Sequence, residues 1–190
     1  MTDTQYKEIF ERWFPEKIQG IEPANYILNN GWNKPRDIVR LIYSAQNSIK
    51  AGAEIVEITI NENSEKLHFE IVDNGCGMSE EFLKDVTNPF TTTRKTRKVG
   101  LGLPFLKMAA EMTGGTFDIV SKSEAEFSDH GTKVSAVFLK NSIDYIPLGD
   151  IIGTVCTLIQ GAEHIDFVFI HKIDDKEVKL DTREMREMLG

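Results

Sequence analysis

The chain has 190 residues, of which 41% are hydrophobic and 27% charged, and its formal net charge is −8. This composition is typical of a globular protein with a sizeable core, and the acidic balance disfavours non-specific binding to nucleic acid. Two cysteines, Cys76 and Cys156, are too few for a disulfide framework or a zinc site. The sequence shows neither a signal leader nor a long apolar run, so we expect a cytoplasmic protein without a membrane partner.

The N-terminal segment begins with a predicted amphipathic helix over residues 3–14, which Pro15 ends. Its apolar face contains Tyr6, Ile9, Phe10, Trp13 and Phe14. Two interpretations stay open: the face packs against the rest of the chain, or it forms a homodimer or partner surface. Residues 15–34 have no clear period.

A second helix is predicted from Pro35 to Ala51, because Pro is favoured in a first helical turn and two stripes follow it at helical spacing. The apolar stripe contains Ile38, Leu41, Ile42, Ala45 and Ile49. The polar stripe contains Tyr43, Gln46, Asn47 and Lys50.

Two β-rich runs, Glu54–Ile60 and Lys66–Val72, predict a hairpin that leads to the first glycine cluster, Asp73-Asn74-Gly75-Cys76-Gly77-Met78. Asp73, at the end of a strand, can accept a hydrogen bond from an exocyclic amine in a dry cleft. Gly75 and Gly77 let the main chain turn sharply and approach a flat ring. We therefore predict an adenine pocket.

A short helix with Ser79 as N-cap is predicted through Val86. A polar segment, Asn88-Pro89-Phe90-Thr91-Thr92-Thr93-Arg94, then precedes a cationic cluster and the second glycine cluster, Gly100-Leu101-Gly102-Leu103. A helix predicted from Pro104, which Gly114-Gly115 ends, follows this cluster. Backbone N–H groups at such a helix N-terminus favour phosphate, so we predict a mobile phosphate lid.

Further strands are predicted over Thr116–Ser121 and Thr132–Leu139. In the tail, helices are predicted over Asp150–Gln160 and Thr182–Met188, and strands over Ile165–Ile173 and Glu177–Leu180. This appendage could extend the sheet, cover an edge or dock a partner, and no chemistry matches it.

The order and spacing of these motifs resemble the ATP-binding domain of gyrase B, histidine kinases and the mismatch-repair protein MutL (the GHKL superfamily). The resemblance covers about residues 35 to 140. The clusters at Asp73 and Gly100 resemble its first two glycine boxes, Asn88 to Arg94 its histidine-kinase lid, and Gly131-Thr132 its last box.

The resemblance implies an α+β fold, a two-layer α/β sandwich of the Bergerat type, with a mixed, mostly antiparallel sheet and helices on one face. We expect an N-terminal helical segment (1–34), the ATP-binding domain (35–140) and a small C-terminal α/β appendage (141–190).

The resemblance also implies ATP and Mg²⁺ as ligands. Asn47 would hold the ion, Lys50 would reach a phosphate oxygen, and Thr132 would bond the adenine edge or a water beside Asp73. The implied nucleotide-binding residues are Asn47, Lys50, Asp73, Gly75, Gly77, Thr92, Arg94, Gly100, Leu101, Gly102 and Thr132.

Tyr43 departs from the family pattern. Members that hydrolyse ATP carry Glu four residues before the Asn, and histidine kinases usually carry Asn there. A phenol is a poor general base at neutral pH, and Asp37 lies ten residues from Asn47, about 15 Å along a helix. We expect nucleotide binding with slow intrinsic hydrolysis.

The four histidines, His68, His130, His164 and His171, lie outside long helical patterns, which disfavours autophosphorylation in cis. Three functions stay open: a histidine or serine protein kinase (or weak ATPase) acting in trans on a protein partner, a regulatory module that senses ATP without chemistry, or a structural subunit with a vestigial pocket.

Overall fold

The structure, a computed structural model, describes residues 45–88, 102–162 and 164–189. The predicted N-terminal helix with its dimer or partner face therefore lies outside the described residues. So do Tyr43, Thr92, Arg94, Gly100 and Leu101.

The described chain forms one six-stranded sheet with helices. Residues 45–50 are helical and are called α1. The strands are β1 (Ile55–Glu62), β2 (Lys66–Asp73), β3 (Thr116–Lys122), β4 (Gly131–Leu139), β5 (Asp166–Ile173) and β6 (Lys176–Asp181). The other helices are α2 (Glu80–Asp85), α3 (Gly102–Met112), α4 (Ile151–Gln160) and α5 (Thr182–Leu189).

The strand order is β3-β4-β2-β1-β5-β6. Every neighbouring pair is antiparallel except β1 and β5, which run parallel. The predicted α+β fold with a mixed, mostly antiparallel sheet is confirmed.

The core lies on one face of this sheet. Because side chains alternate along a strand, every second residue of β1, β2 and β4 points to the same side. The register places Ile71 opposite both Ile58 and Val134, and all three are buried. Apolar residues of α1, α3 and α4 belong to the same buried cluster; they include Ala45, Leu106, Ala110, Val155 and Leu158.

Local sequence signals set most helix ends. Ser79 caps α2, and its Oγ accepts a hydrogen bond from the N–H of Phe82 at 3.3 Å, which confirms the predicted cap. Gly114, with φ +80°, follows α3 as predicted. The start predicted at Pro104 is wrong, because α3 already includes Gly102 and Leu103. A proline fits this first turn, where its missing N–H leaves no helical hydrogen bond unmade.

The C-terminal tail extends the sheet, which is one of the three alternatives that its sequence left open. In β5, Phe167 lies beside Val56 of β1, and both side chains are fully buried. The N–H of Phe167 donates to Oγ1 of Thr182 at 2.9 Å, which connects α5 to this strand.

At the start of α5, Arg183 hydrogen-bonds both carboxylate oxygens of Asp181 and holds the pKa of that carboxyl below its usual range. The tail therefore shares the core, while the domain boundaries themselves stay a prediction.

We predict that Phe167→Ala lowers the free energy of unfolding by about 3–5 kcal/mol, because it opens a cavity at a position with no exposed surface. Urea unfolding should show a single transition. Val178→Ala, at a side chain that is 61% exposed, is the control and should change the value by no more than about 0.5 kcal/mol. A separate, unaffected transition for the rest of the chain would contradict the shared core.

Candidate functional site

Asp73 is the last residue of β2 and continues the row of core-facing side chains formed by Phe69 and Ile71. It is only 9% exposed. Its carboxylate accepts two hydrogen bonds from the protein, from Oγ of Ser48 to Oδ2 at 2.6 Å and from the N–H of Gly75 to Oδ1 at 3.0 Å. Each oxygen is thus engaged, and the carboxylate has a fixed orientation.

The first glycine cluster packs against the end of α1 and the start of β1. Oδ1 of Asn74 accepts hydrogen bonds from the N–H groups of Glu54 and Ile55, at 2.9 and 3.0 Å. The N–H of Cys76 donates to the carbonyl of Ala51 at 2.9 Å. A Cβ on Gly75 would lie 2.8 Å from Cβ of Ala51, so this position requires glycine.

The other side of the cluster packs against the end of β3. Gly77 has φ +64°, and a Cβ there would lie 1.8 Å from the carbonyl oxygen of Lys122. The N–H of Met78 donates to Oγ of Ser121 at 2.8 Å. The close approach that demands glycine at position 77 is therefore to the protein's own main chain, a reason that the sequence analysis did not foresee.

Thr132 lies directly opposite Asp73 on β4, on the same face of the sheet. Its Oγ1 is 2.9 Å from Oγ of Ser121, and the preceding Gly131 has φ +142°. A Cβ on Gly131 would lie 2.1 Å from the carbonyl oxygen of Asp73. The last glycine box and the first thus meet, which brings Asp73, Gly75, Gly77 and Thr132 together.

Two residues at this site were missed by the sequence analysis. Ser48 is 4% exposed and reaches Asp73 from α1. His130, just before the last glycine box, places Nδ1 2.7 Å from the carbonyl oxygen of Gly75. Since a carbonyl oxygen only accepts, Nδ1 is the donor. The only signals were adjacency: Ser48 follows Asn47, and His130 precedes Gly131.

The other predicted site residues that the structure describes are Asn47, Lys50 and Gly102. Asn47 and Lys50 are exposed on α1, and Asn47 adjoins Ser48 in sequence. Gly102 is the first residue of α3. Across residues 45–88, 102–162 and 164–189, no three His, Cys, Asp or Glu side chains cluster as metal ligands. Nearby, a hydrogen bond from Lys122 holds the pKa of Asp129 below its usual range.

The family described as "Histidine kinase-, DNA gyrase B-, and HSP90-like ATPase" matches residues 35–148, so this chain belongs to that family. It is a histidine kinase-like ATPase domain of the GHKL superfamily, as its motifs indicated. It is 33% identical over 108 residues to the sensor protein SrrB of Staphylococcus aureus, and the match covers 52% of this chain and 18% of that protein. It is 34% identical over 90 residues to the sensor protein KdpD of Clostridium acetobutylicum, with 45% and 10% covered.

The chain resembles in fold a solved structure titled "Aquifex aeolicus MutL ATPase domain complexed with ADP". The TM-score is 0.52 at 16% identity, and the match covers 82% of this chain and 67% of that one. The chain spans only 18% and 10% of the length of the two sensor proteins. Among the described helices, none combines the length and the apolar character needed to span a bilayer.

We predict that Gly77→Ala destabilises the chain by about 2 kcal/mol more than Gly52→Ala does. Both positions have positive φ, which costs about 1–2 kcal/mol for alanine, but only Gly77 would also collide with a main-chain carbonyl. A Cβ on Gly52 would have no other atom within 4 Å, so this position is the matched control. Equal losses in urea unfolding would contradict the packing of Gly77 against Lys122.

Proposed function

We propose that this chain binds ATP with Mg²⁺ and transfers the γ-phosphoryl group to a separate protein. The observation that supports it best is the buried carboxylate of Asp73, held between α1 and the glycine cluster. A carboxylate has about four lone-pair sites, and the described residues use two of them. The remaining capacity suits an exocyclic amine, which donates hydrogen bonds, so this acceptor fits adenine.

Asn47 would be the metal ligand in this proposal, because an amide oxygen suits a hard ion that keeps most of its waters. Its neighbour Ser48 contacts Asp73, so residues of α1 lie at both the proposed metal site and the proposed purine pocket. Lys50, Thr92, Arg94 and the segment Gly100–Gly102 would neutralise and cradle the phosphates.

The chemistry required of the protein is mainly positioning and charge neutralisation, because phosphoryl transfer needs little covalent help. Magnesium, when bound, shields the charge of the transferring group. Tyr43 stands where other members carry Glu or Asn, so the chain supplies no strong base there for activating water. Transfer to an acceptor that brings its own nucleophile is therefore favoured over hydrolysis.

A second candidate is an ATP-sensing regulatory module without chemistry, and the identity of Tyr43 favours it. In both proposals a protein partner either accepts the phosphoryl group or reads the bound state. A cytoplasmic location and dimer formation through the predicted aromatic helix over residues 3–14 are also proposed.

We predict that Asp73→Asn weakens ADP binding in the presence of Mg²⁺ by roughly 5- to 150-fold, because a charge-assisted hydrogen bond is lost. Calorimetry on the full chain measures this affinity. Asp118→Asn is the control, since Asp118 is exposed on the edge strand β3. Unchanged affinity in Asp73→Asn would count against the purine pocket.

The kinase and the sensor make different predictions for γ-labelled ATP mixed with the chain and a cell lysate. For the kinase we expect a labelled protein band that disappears with Asn47→Ala and persists with Asn61→Ala, a substitution at the far end of β1. Tight ADP binding without any labelled band would overturn the kinase and favour the sensor.

A further inference from the structure

A continuous chain of hydrogen bonds runs through the candidate site. Ser48 donates to Oδ2 of Asp73 at 2.6 Å, Oδ1 of the same carboxylate accepts from the N–H of Gly75 at 3.0 Å, and the carbonyl of Gly75 accepts from Nδ1 of His130 at 2.7 Å. The four residues come from α1, the end of β2, the glycine cluster and the β3–β4 connection. The helix α1 and the glycine cluster therefore meet on one carboxylate, and the β3–β4 connection is joined to them through the carbonyl of Gly75.

Each link limits the movement of the next. Ser48 is 4% exposed, and a buried hydroxyl that lost its acceptor would be left with an uncompensated polar group. Both main-chain polar groups of Gly75 are hydrogen-bonded, because its N–H donates to Asp73 and its carbonyl accepts from His130. The Asp73 carboxylate thus cannot rotate without breaking at least one of these bonds.

We propose that Ser48 and His130 are positioning residues that give this site its selectivity for a 6-amino purine over a 6-oxo purine. This inference rests on the proposed nucleotide site. A carboxylate only accepts hydrogen bonds, so an amino group matches it, whereas an oxo group faces another acceptor. The hydrogen bonds of Ser48, Gly75 and His130, here called the clamp, keep the carboxylate in the orientation in which it accepts from the amino group. A 6-oxo purine does not make this hydrogen bond, so loosening the clamp lowers the affinity for the amino purine and reduces the discrimination between the two.

The test compares ADP and inosine diphosphate, which differ at the purine 6-position, by calorimetry on the full chain with Mg²⁺. We expect Ser48→Ala and His130→Ala each to weaken ADP binding by about 3- to 10-fold. The affinity for inosine diphosphate should change less than about twofold, so the selectivity falls. His130→Asn should retain wild-type selectivity, because its amide nitrogen can donate from the same position as Nδ1.

A second serine–histidine pair provides matched controls. His68 places Nε2 2.9 Å from Oγ of Ser135, on the face of the same sheet opposite to Asp73. Ser135→Ala and His68→Ala should leave the affinities for both nucleotides unchanged. If they alter the selectivity as much as the site variants do, the clamp is not its cause and the inference is overturned.

The outcomes separate this inference from the proposed function. Tight, adenine-selective binding by the wild type with unchanged selectivity in Ser48→Ala and His130→Ala would overturn the clamp alone. An equal loss for both nucleotides would also overturn it, because that is the result of a merely structural role. Failure of the wild-type chain to bind ADP would overturn the proposed function and the clamp with it. If Ser48→Ala does not fold, Ser48→Cys, a weaker donor of similar size, replaces it in the same comparison, and the same outcomes support or overturn the clamp.

Discussion

The burial of one carboxylate is the constraint on which the site depends. Removing a charged group from water is costly unless hydrogen bonds compensate it, and Asp73 is 9% exposed at the edge of the core. Ser48 and the N–H of Gly75 provide that compensation. Because the two donors come from separate elements, the helix α1 and the turn after β2 must both be in place before the carboxylate is stable. The site therefore forms as the chain folds, because its two donors come from separate elements of the fold.

Close main-chain contacts make glycine necessary at two positions of the glycine boxes. Gly77 lies against the carbonyl of Lys122, and Gly131 lies against the carbonyl of Asp73. Such contacts exclude any side chain at these positions, but they do not depend on the identity of the neighbours, which contribute only carbonyl groups. Substitution of a neighbouring side chain therefore need not disturb these contacts.

Local signals predicted most of the fold, because strand alternation and helix caps depend on residues close in sequence. The hairpin before Asp73, the cap at Ser79 and the strands of the tail are of this kind. The parallel pairing of β5 with β1 was left open, since it joins residues more than a hundred positions apart. Ser48 and His130 were missed for the same reason. Their roles arise from tertiary contacts with Asp73 and Gly75, which no spacing in the sequence announces.

The register of the sheet connects the tail to the site in a way that affects how its role can be studied. Thr132, Asp73, Val56 and Phe167 form one row across β4, β2, β1 and β5. Deleting residues 141–190 would remove Phe167 from this row and bare the edge of β1, so a loss of nucleotide binding would follow from unfolding alone. A signalling role must instead be sought on exposed positions of the tail, such as Val178 and Met188. Substitutions there leave the core intact, so a change in partner response without a change in ADP affinity would assign the tail to communication and not to support.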